Sequence, residues 1–313
     1  MKPRLTVTGS PPAGHPSRGA PHSAQQGFSL VELMVAMFIG LVVIGAVLVN
    51  YLSSGVSGRS SNALAQMAED ASSALNIIRS YVAQAGYGRP YAMTAAGFQR
   101  AYAGQAVFGC AGAFSNVNVP GIESLTCAAG GGSHSLAVAY EADDQNALRT
   151  SVAAGNLLMD CVGAGISPVA AAGAVPAYTL GQARFYVANG RLMCRGNGGG
   201  AVAAGALPGT AQPLVENIDD MRVWYGLSND ETVNGVTRPA QQVSRYVDAG
   251  SVLAAQWNNV RAVRVCIVVR SVAEVNDAPA PYFDCSGATQ TPNDRRLYRA
   301  FTTTVMVQNR LGG

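Results

Sequence analysis

The hydrophobic and polar positions of this chain change character abruptly at residue 27. Residues 1–27 show no apolar periodicity and are rich in Pro, Gly and Ser, with His15 and His22 among them, so they read as a disposable leader. An apolar run then opens at Phe28 and continues to about Leu52, including Leu33, Val35, Ile39, Val42 and Ile44. No side chain from Leu33 to Val49 is charged. As a helix, that stretch would cover about 26 Å, close to the thickness of a hydrocarbon core.

Residues 53–61 are poor in helix formers, and Gly55 and Gly58 each cost about 1 kcal/mol relative to alanine in a helix. Apolar spacing resumes at Leu64, Met67, Ala71, Leu75 (or Ala74), Ile78 and Val82, intervals of three and four that place these residues on one face. The pattern predicts one long helix from Phe28 to about Ala85, weakened at 53–61, with its second half covered by a sheet. Gly86 to Pro90 supplies the stop. If long helices pack side by side, Gly55 and Gly58 could allow local unwinding where the helix leaves an apolar bundle.

Beyond the helix the period changes from about 3.6 to 2. Residues 91–133 read as loop, and Ser135–Glu141 as a short strand. Residues 184–188 and 191–194 flank Asn189-Gly190, the signature of a type I′ hairpin. Residues 196–209 form a Gly/Ala-rich loop with no GK[ST] to make it a phosphate site. Residues 214–226 return to strand-like sequence, and 227–250 read as a long polar surface loop. Residues 260–270 give the clearest strand, with Val263, Val265, Ile267 and Val269 on one face and Arg264 and Arg270 on the other. A final strand is expected over 298–308. A helix followed by strands means α+β with a mainly antiparallel sheet.

Charge changes the picture at the N-terminus. Of 21 basic residues, Lys2, Arg4 and Arg18 lie in the leader, which has no acid. The remaining chain carries 18 bases against 18 acids and is formally neutral. The leader charges set orientation, because positive flanks stay cytoplasmic and the C-terminal bulk goes outward. All six cysteines, Cys110, Cys127, Cys161, Cys194, Cys266 and Cys285, follow the apolar helix. In an oxidising compartment they read as up to three disulfides of about fifteen possible connectivities. Neighbours in sequence give the working choice of 110 with 127, 161 with 194 and 266 with 285. No C-x₂-C spacing supports zinc.

Glu32 is the anomaly of the apolar run. An ionised carboxylate there costs about 2.5–3.5 kcal/mol on insertion scales and needs a partner. Cleavage between Gly27 and Phe28 would create an α-amino group at helix spacing i, i+4 from Glu32. The same carboxylate suits the positive end of the helix dipole. In a bundle, the amine of one copy could equally pair with the glutamate of the next.

The run Gly27-Phe28-Ser29-Leu30-Val31-Glu32 resembles the class III signal of type IV prepilins and of type II secretion pseudopilins. The resemblance implies cleavage after Gly27 by prepilin peptidase and N-methylation of Phe28. Residues 217–226, 259–271 and 295–310 are similar to the PilW family of minor type IV pilins. The family implies a pilin-like α+β fold whose long helix is transmembrane in its first half and packed on the sheet. Its divisions would be 1–27 leader, 28–52 transmembrane and assembly helix, 53–85 exported half of the helix, and 86–313 globular β-rich domain. The leader is longer than in many prepilins, and a start later than Met1 would leave the mature product unchanged.

The resemblance further implies a structural subunit active in pilus assembly or initiation, with prepilin peptidase, other minor pilins, the major pilin and inner-membrane lipid as partners. It would span the inner membrane once with its C-terminal domain in the periplasm, then pass to the pilus. A J-type pseudopilin of type II secretion is the related alternative, and a membrane-tethered adhesin or binding module the alternative of another class. Neither catalytic residues, a metal nor a cofactor is expected. Lys2 is the only lysine and lies in the leader, and His134 is the only histidine after it. His134 lacks a G-x-S-x-G elbow and reads as a surface residue opening a strand. Asp143-Asp144 and Asp219-Asp220 match no EF-hand loop and read as solvated, the second pair on the exposed face and edge of a strand. Twenty scattered arginines give no nucleic-acid patch.

Overall fold

A computed structural model of the chain describes residues 27–94, 97–201, 205–233 and 236–310; leader residues 1–26 lie outside the described residues. The chain forms two compact units, 1–55 and 56–313. Their boundary falls within the Gly-containing stretch 53–61, whose backbone is helical throughout. Helix α1 spans Leu30–Gln84. It starts two residues after Phe28 because Ser29 takes the N-cap position, its carbonyl accepting from the Leu33 N–H at 3.1 Å.

In the second unit, Met67, Ala71, Ala74, Ile78 and Val82 of α1 are each at most 1% exposed. The stripe therefore runs through Ala74 rather than Leu75, and Leu64, expected to open it, is 39% exposed and outside the core. Gly86 adopts the left-handed φ of 73° that ends a helix, and its N–H donates to the Ala139 carbonyl at 2.8 Å.

Strand β1 (Pro90–Thr94) pairs with β2 (Gly97–Arg100) as a hairpin. Then β3 (Val107–Cys110), β4 (Ser135–Ala142), β5 (Thr179–Ala188), β6 (Arg191–Gly196) and β7 (Gln212–Glu216) form an antiparallel sheet in that spatial order. The chain continues through β8 (Ile218–Leu227), the hairpin β9 (Asp230–Val233) and β10 (Val236–Pro239), β11 (Arg245–Val247) and β12 (Val260–Arg270). A small hairpin of β13 (Tyr282–Phe283) and β14 (Thr289–Gln290) precedes β15 (Tyr298–Met306). The second large sheet is antiparallel in the order β11-β8-β12-β15.

One core joins the α1 stripe to both sheets: Val263, Val265, Ile267 and Val269 of β12, Met221, Val223 and Tyr225 of β8, and Leu136, Val138 and Phe185 of β4 and β5. The opposite face of β4, Ala137 and Ala139, lies beneath Tyr102, Ile122 and Leu125. The loop that carries Ile122 and Leu125 is closed by the Cys110–Cys127 disulfide.

Several segments depart from the sequence expectations. Residues 91–133 contain β1, β2 and β3 rather than loop alone, and 227–250 contain β9, β10 and β11. These strands are three to five residues long, too short to display a period of two, and backbone pairing holds them. Residues 214–226 are two strands in different sheets. Asn217 breaks them with a φ of 63°, a conformation that Asn tolerates better than most residues. That corner is tied down on two sides: Asn217 Nδ2 donates to Asp70 Oδ2 at 3.1 Å, and its carbonyl accepts from the Arg270 N–H at 2.9 Å. The expected hairpin at Asn189-Gly190 is present, with φ of 53° and 70°.

Candidate assembly segment

Within the first unit, Leu30–Tyr51 is a helical stretch of 22 residues with mean hydropathy 2.6 and no buried residue. Leu33, Val35, Ile39, Val42 and Ile44 are all more than half exposed, and Phe28 is 82% exposed. Each such side chain gains about 1.5–3 kcal/mol when removed from water. Lipid or apolar helices from other subunits are the environments that supply this burial, and an α-helix enters them with its backbone hydrogen bonds already made. The segment is thus suited to membrane anchoring.

Gly27, Phe28 and Ser29 precede the helix, with Gly27 in open space where an added Cβ would meet nothing. With Ser29 at the N-cap, Glu32 falls at the third helical position, the S-x-x-E spacing of a capping box. Glu32 is the acid of the first turn, is exposed, and lies four residues from Phe28. An α-amino group at Phe28 would sit at the positive end of the helix dipole, where its own charge is unfavourable. Glu32 would offset both.

The second unit pairs the cysteines 110 with 127, 161 with 194 and 266 with 285, at Cα separations of 5.4, 6.4 and 5.8 Å. These are the pairs of nearest neighbours in sequence, and each separation lies within the range a relaxed disulfide takes.

His134 is not a surface residue. It is 6% exposed, its backbone N–H donates to the Met221 carbonyl at 2.7 Å, and its ring Nδ1 accepts from the Val223 N–H at 3.1 Å. It occupies the flank of β8 that β11 leaves uncovered, since β11 pairs only with residues 225–227. Burial lowers its pKa below the usual imidazole value, and the nearby Arg222 acts the same way.

The acidic pairs are also more engaged than expected. Asp143 accepts from the Tyr87 hydroxyl at 2.9 Å, and Asp144 pairs with Arg149 at 2.5 Å. Asp220 pairs with Arg222 at 2.8 Å and Asp219 faces Arg270 at 3.6 Å, both within β8, which runs between β11 and β12. Burial raises the Asp219 pKa, against the opposing Arg270 charge.

Among the described residues, sequence reasoning missed five further buried charges, one of which, Arg261, donates through Nε to the Ala240 carbonyl at 3.1 Å. Arg184 is fully buried and donates to the carbonyls of Val117 and Pro120 at 2.9 and 3.2 Å and to Gln182 Oε1 at 2.7 Å. Its cross-strand neighbour Arg195 donates to the Leu207 and Gly209 carbonyls. Together these guanidiniums hold two loops, themselves joined by the Leu207 N–H to Asn118 carbonyl bond, over the outer face of the β3–β7 sheet. Glu141 is buried against Arg89, which donates through its backbone N–H and Nε at 2.7 and 3.1 Å. Asp160 is the fifth. In sequence, an Arg in an otherwise apolar strand such as ARFYV is the only hint of these anchors.

Residues 178–309, from the start of β5 through β15, match the family described as Type IV Pilus-assembly protein W. Residues 22–48 match the prokaryotic N-terminal methylation motif, which takes in Gly27, Phe28 and Glu32. Among solved structures, the type IV-like pilin TTHA1219 from Thermus thermophilus is similar at 14% identity, over 79% of this chain and 98% of that chain, with a TM-score of 0.38. No curated protein matches the chain.

Proposed function

Because the chain belongs to the PilW family of type IV pilus-assembly proteins, we propose that it is a minor pilin, a structural subunit that takes part in starting or extending the pilus. Prepilin peptidase cuts between Gly27 and Phe28 and methylates the new amine. Residues 28–52 hold the subunit in the inner membrane, with the C-terminal domain in the periplasm, until the helix passes from lipid into the bundle of other minor pilins and the major pilin. Leu33, Val35, Ile39, Val42 and Ile44 then bury against neighbouring helices. The amine of one subunit pairs with Glu32 of another, which offsets the cost of moving a carboxylate into an apolar bundle.

One conjunction carries this reading: a methylation motif over 22–48 coincides with an apolar helix whose large side chains are exposed and whose first turn holds a single acid. The part played is mechanical rather than catalytic.

Mass spectrometry of the native polypeptide is the first test. A mature chain beginning at methylated Phe28 is expected, and a functional chain that keeps residues 1–27 refutes the proposal. Glu32→Ala is the second: the variant should be cleaved and remain in the membrane yet fail to enter fibres. Normal incorporation would reduce α1 to a simple tether, as an adhesin or binding module would use it. Complementation of twitching separates a pilus subunit from a secretion pseudopilin, which would restore secretion instead.

A further inference from the structure

Beside the last turn of α1, the second unit has a cavity of about 330 Å³, at the lower end of the range for small-ligand sites. Its wall combines Tyr81 and Gln84 of α1, Tyr140 of β4, and Leu148, Met159 and Asp160 from the connection between β4 and β5. None of the described residues that line it is basic.

Four features give this cavity a negative potential. Asp160 is 6% exposed, with Oδ1 accepting from the Val162 and Ala164 N–H groups at 3.0 Å each and Oδ2 from the Gly198 N–H at 2.7 Å. Those bonds fix the carboxylate, but among the described residues no basic side chain forms an ion pair with it. Gln84 Oε1 is buried without a hydrogen-bond partner. Gln84 is also the last residue of α1, whose final turn carries no basic residue to balance the negative end of the helix. Finally, the Tyr81 and Tyr140 rings meet edge to face with centroids 6.0 Å apart, and aromatic faces attract cations. The Tyr81 hydroxyl is pushed up to about 12, by burial first and then by the Asp160 charge. Of the basic residues on adjoining segments, Arg89 pairs with Glu141 and Arg149 with Asp144, and Arg79 of α1 is exposed and does not line the cavity.

We propose that this cavity binds an organic monocation of the guanidinium or alkylammonium type, carried by a free small molecule or by a basic side chain of a peptide. Its aromatic and aliphatic wall suits an alkyl stem, and Asp160 and Gln84 Oε1 accept from the cationic head. A bare metal ion fits less well, because among the described residues no group of three or more His, Cys, Asp and Glu side chains could hold one. This proposal is independent of the processing and assembly of α1.

The test is calorimetric titration of the full mature chain in detergent micelles with ethylguanidinium and with N-acetyl-arginine N-methylamide, using the norleucine analogue as the neutral control. At least one cation should bind saturably, and the norleucine compound should not. Gln84→Met and Asp160→Asn should each weaken binding by about tenfold or more, the scale of losing one hydrogen bond to a charged group. Binding of ethylguanidinium means that a free cation suffices, whereas binding of the arginine compound alone assigns the site to a peptide side chain. No saturable binding, equal binding of norleucine, or unchanged affinity in Gln84→Met overturns the proposal. Should Asp160→Asn fail to fold, Gln84→Met decides alone, since it replaces a side chain at the end of a helix with one of similar length.

Discussion

The fold should lose stability on mild acidification through a single residue, His134. In the folded protein Nδ1 accepts from the Val223 N–H; a protonated ring would give up that bond and could donate instead to the Val223 carbonyl at 3.2 Å, a gain that the cost of charging a buried imidazole outweighs. Burial accordingly lowers the folded pKa, while the unfolded chain keeps the ordinary value of 6.5. The unfolded state therefore binds the proton first. The stabilisation is complete above pH 6.5 and is lost progressively as pH falls below it towards the folded pKa. The slope is about 1.36 kcal/mol for each pH unit over which the unfolded imidazole is charged and the folded one is still neutral.

His134 is the only histidine after residue 27, so the window between pH 7.5 and 5 isolates it from other imidazoles. Asp219, whose pKa is raised from 3.8, acts with the opposite sign, because its protonation is favoured in the folded state as pH falls; this is a further reason to stop at pH 5. Urea denaturation of the mature chain in detergent, followed by circular dichroism at four pH values, measures the slope. The reference is His134→Asn, whose Oδ1 can accept from Val223 without titrating. A wild-type stability that stays flat over the window, or an Asn variant with the same slope, refutes this account.

Two further perturbations probe the packing of the second unit. Ile78→Ala removes a fully buried side chain of the α1 stripe and should cost about 2–5 kcal/mol, measured by the same denaturation; a loss under about 1 kcal/mol would mean that the stripe is not packed against the sheets. Replacing Cys161 and Cys194 together by alanine opens a link with a sequence separation of 33 and should cost about 3–4 kcal/mol on the chain-entropy account. An unchanged urea midpoint would contradict the contribution assigned to that bond.

What the sequence reveals depends on how local the causes are. The candidate assembly segment is contiguous: the proposed cleavage bond, the carboxylate and the apolar run all fall between residues 27 and 52, so pattern alone points to them. The clear strand at 260–270 is similar, because its odd positions face one core. The break at Asn217 is harder to see, yet it leaves a trace. Buried positions on β8 run Met221, Val223, Tyr225, and Val215 on β7 has the same odd parity, but Ile218, three residues after Val215, falls out of it. An Asn between them, able to take a left-handed turn, is the residue that permits the change of sheet.

β4 shows the opposite case. All eight of its residues are buried, but the small side chains of Ala137 and Ala139 reveal nothing about the loop that covers them. That cover depends on a disulfide and on Arg184 holding carbonyls 64 and 67 residues away in sequence. The cavity beside α1 is more distributed still, with walls from residues 80–84, 140, 146–148 and 159–163. Its negative potential exists only because pairing of β4 with β5 brings the intervening connection against the helix end. A feature built from separated residues by sheet register can be read only after the register is known, whereas the segment proposed for processing by a peptidase is written in consecutive residues.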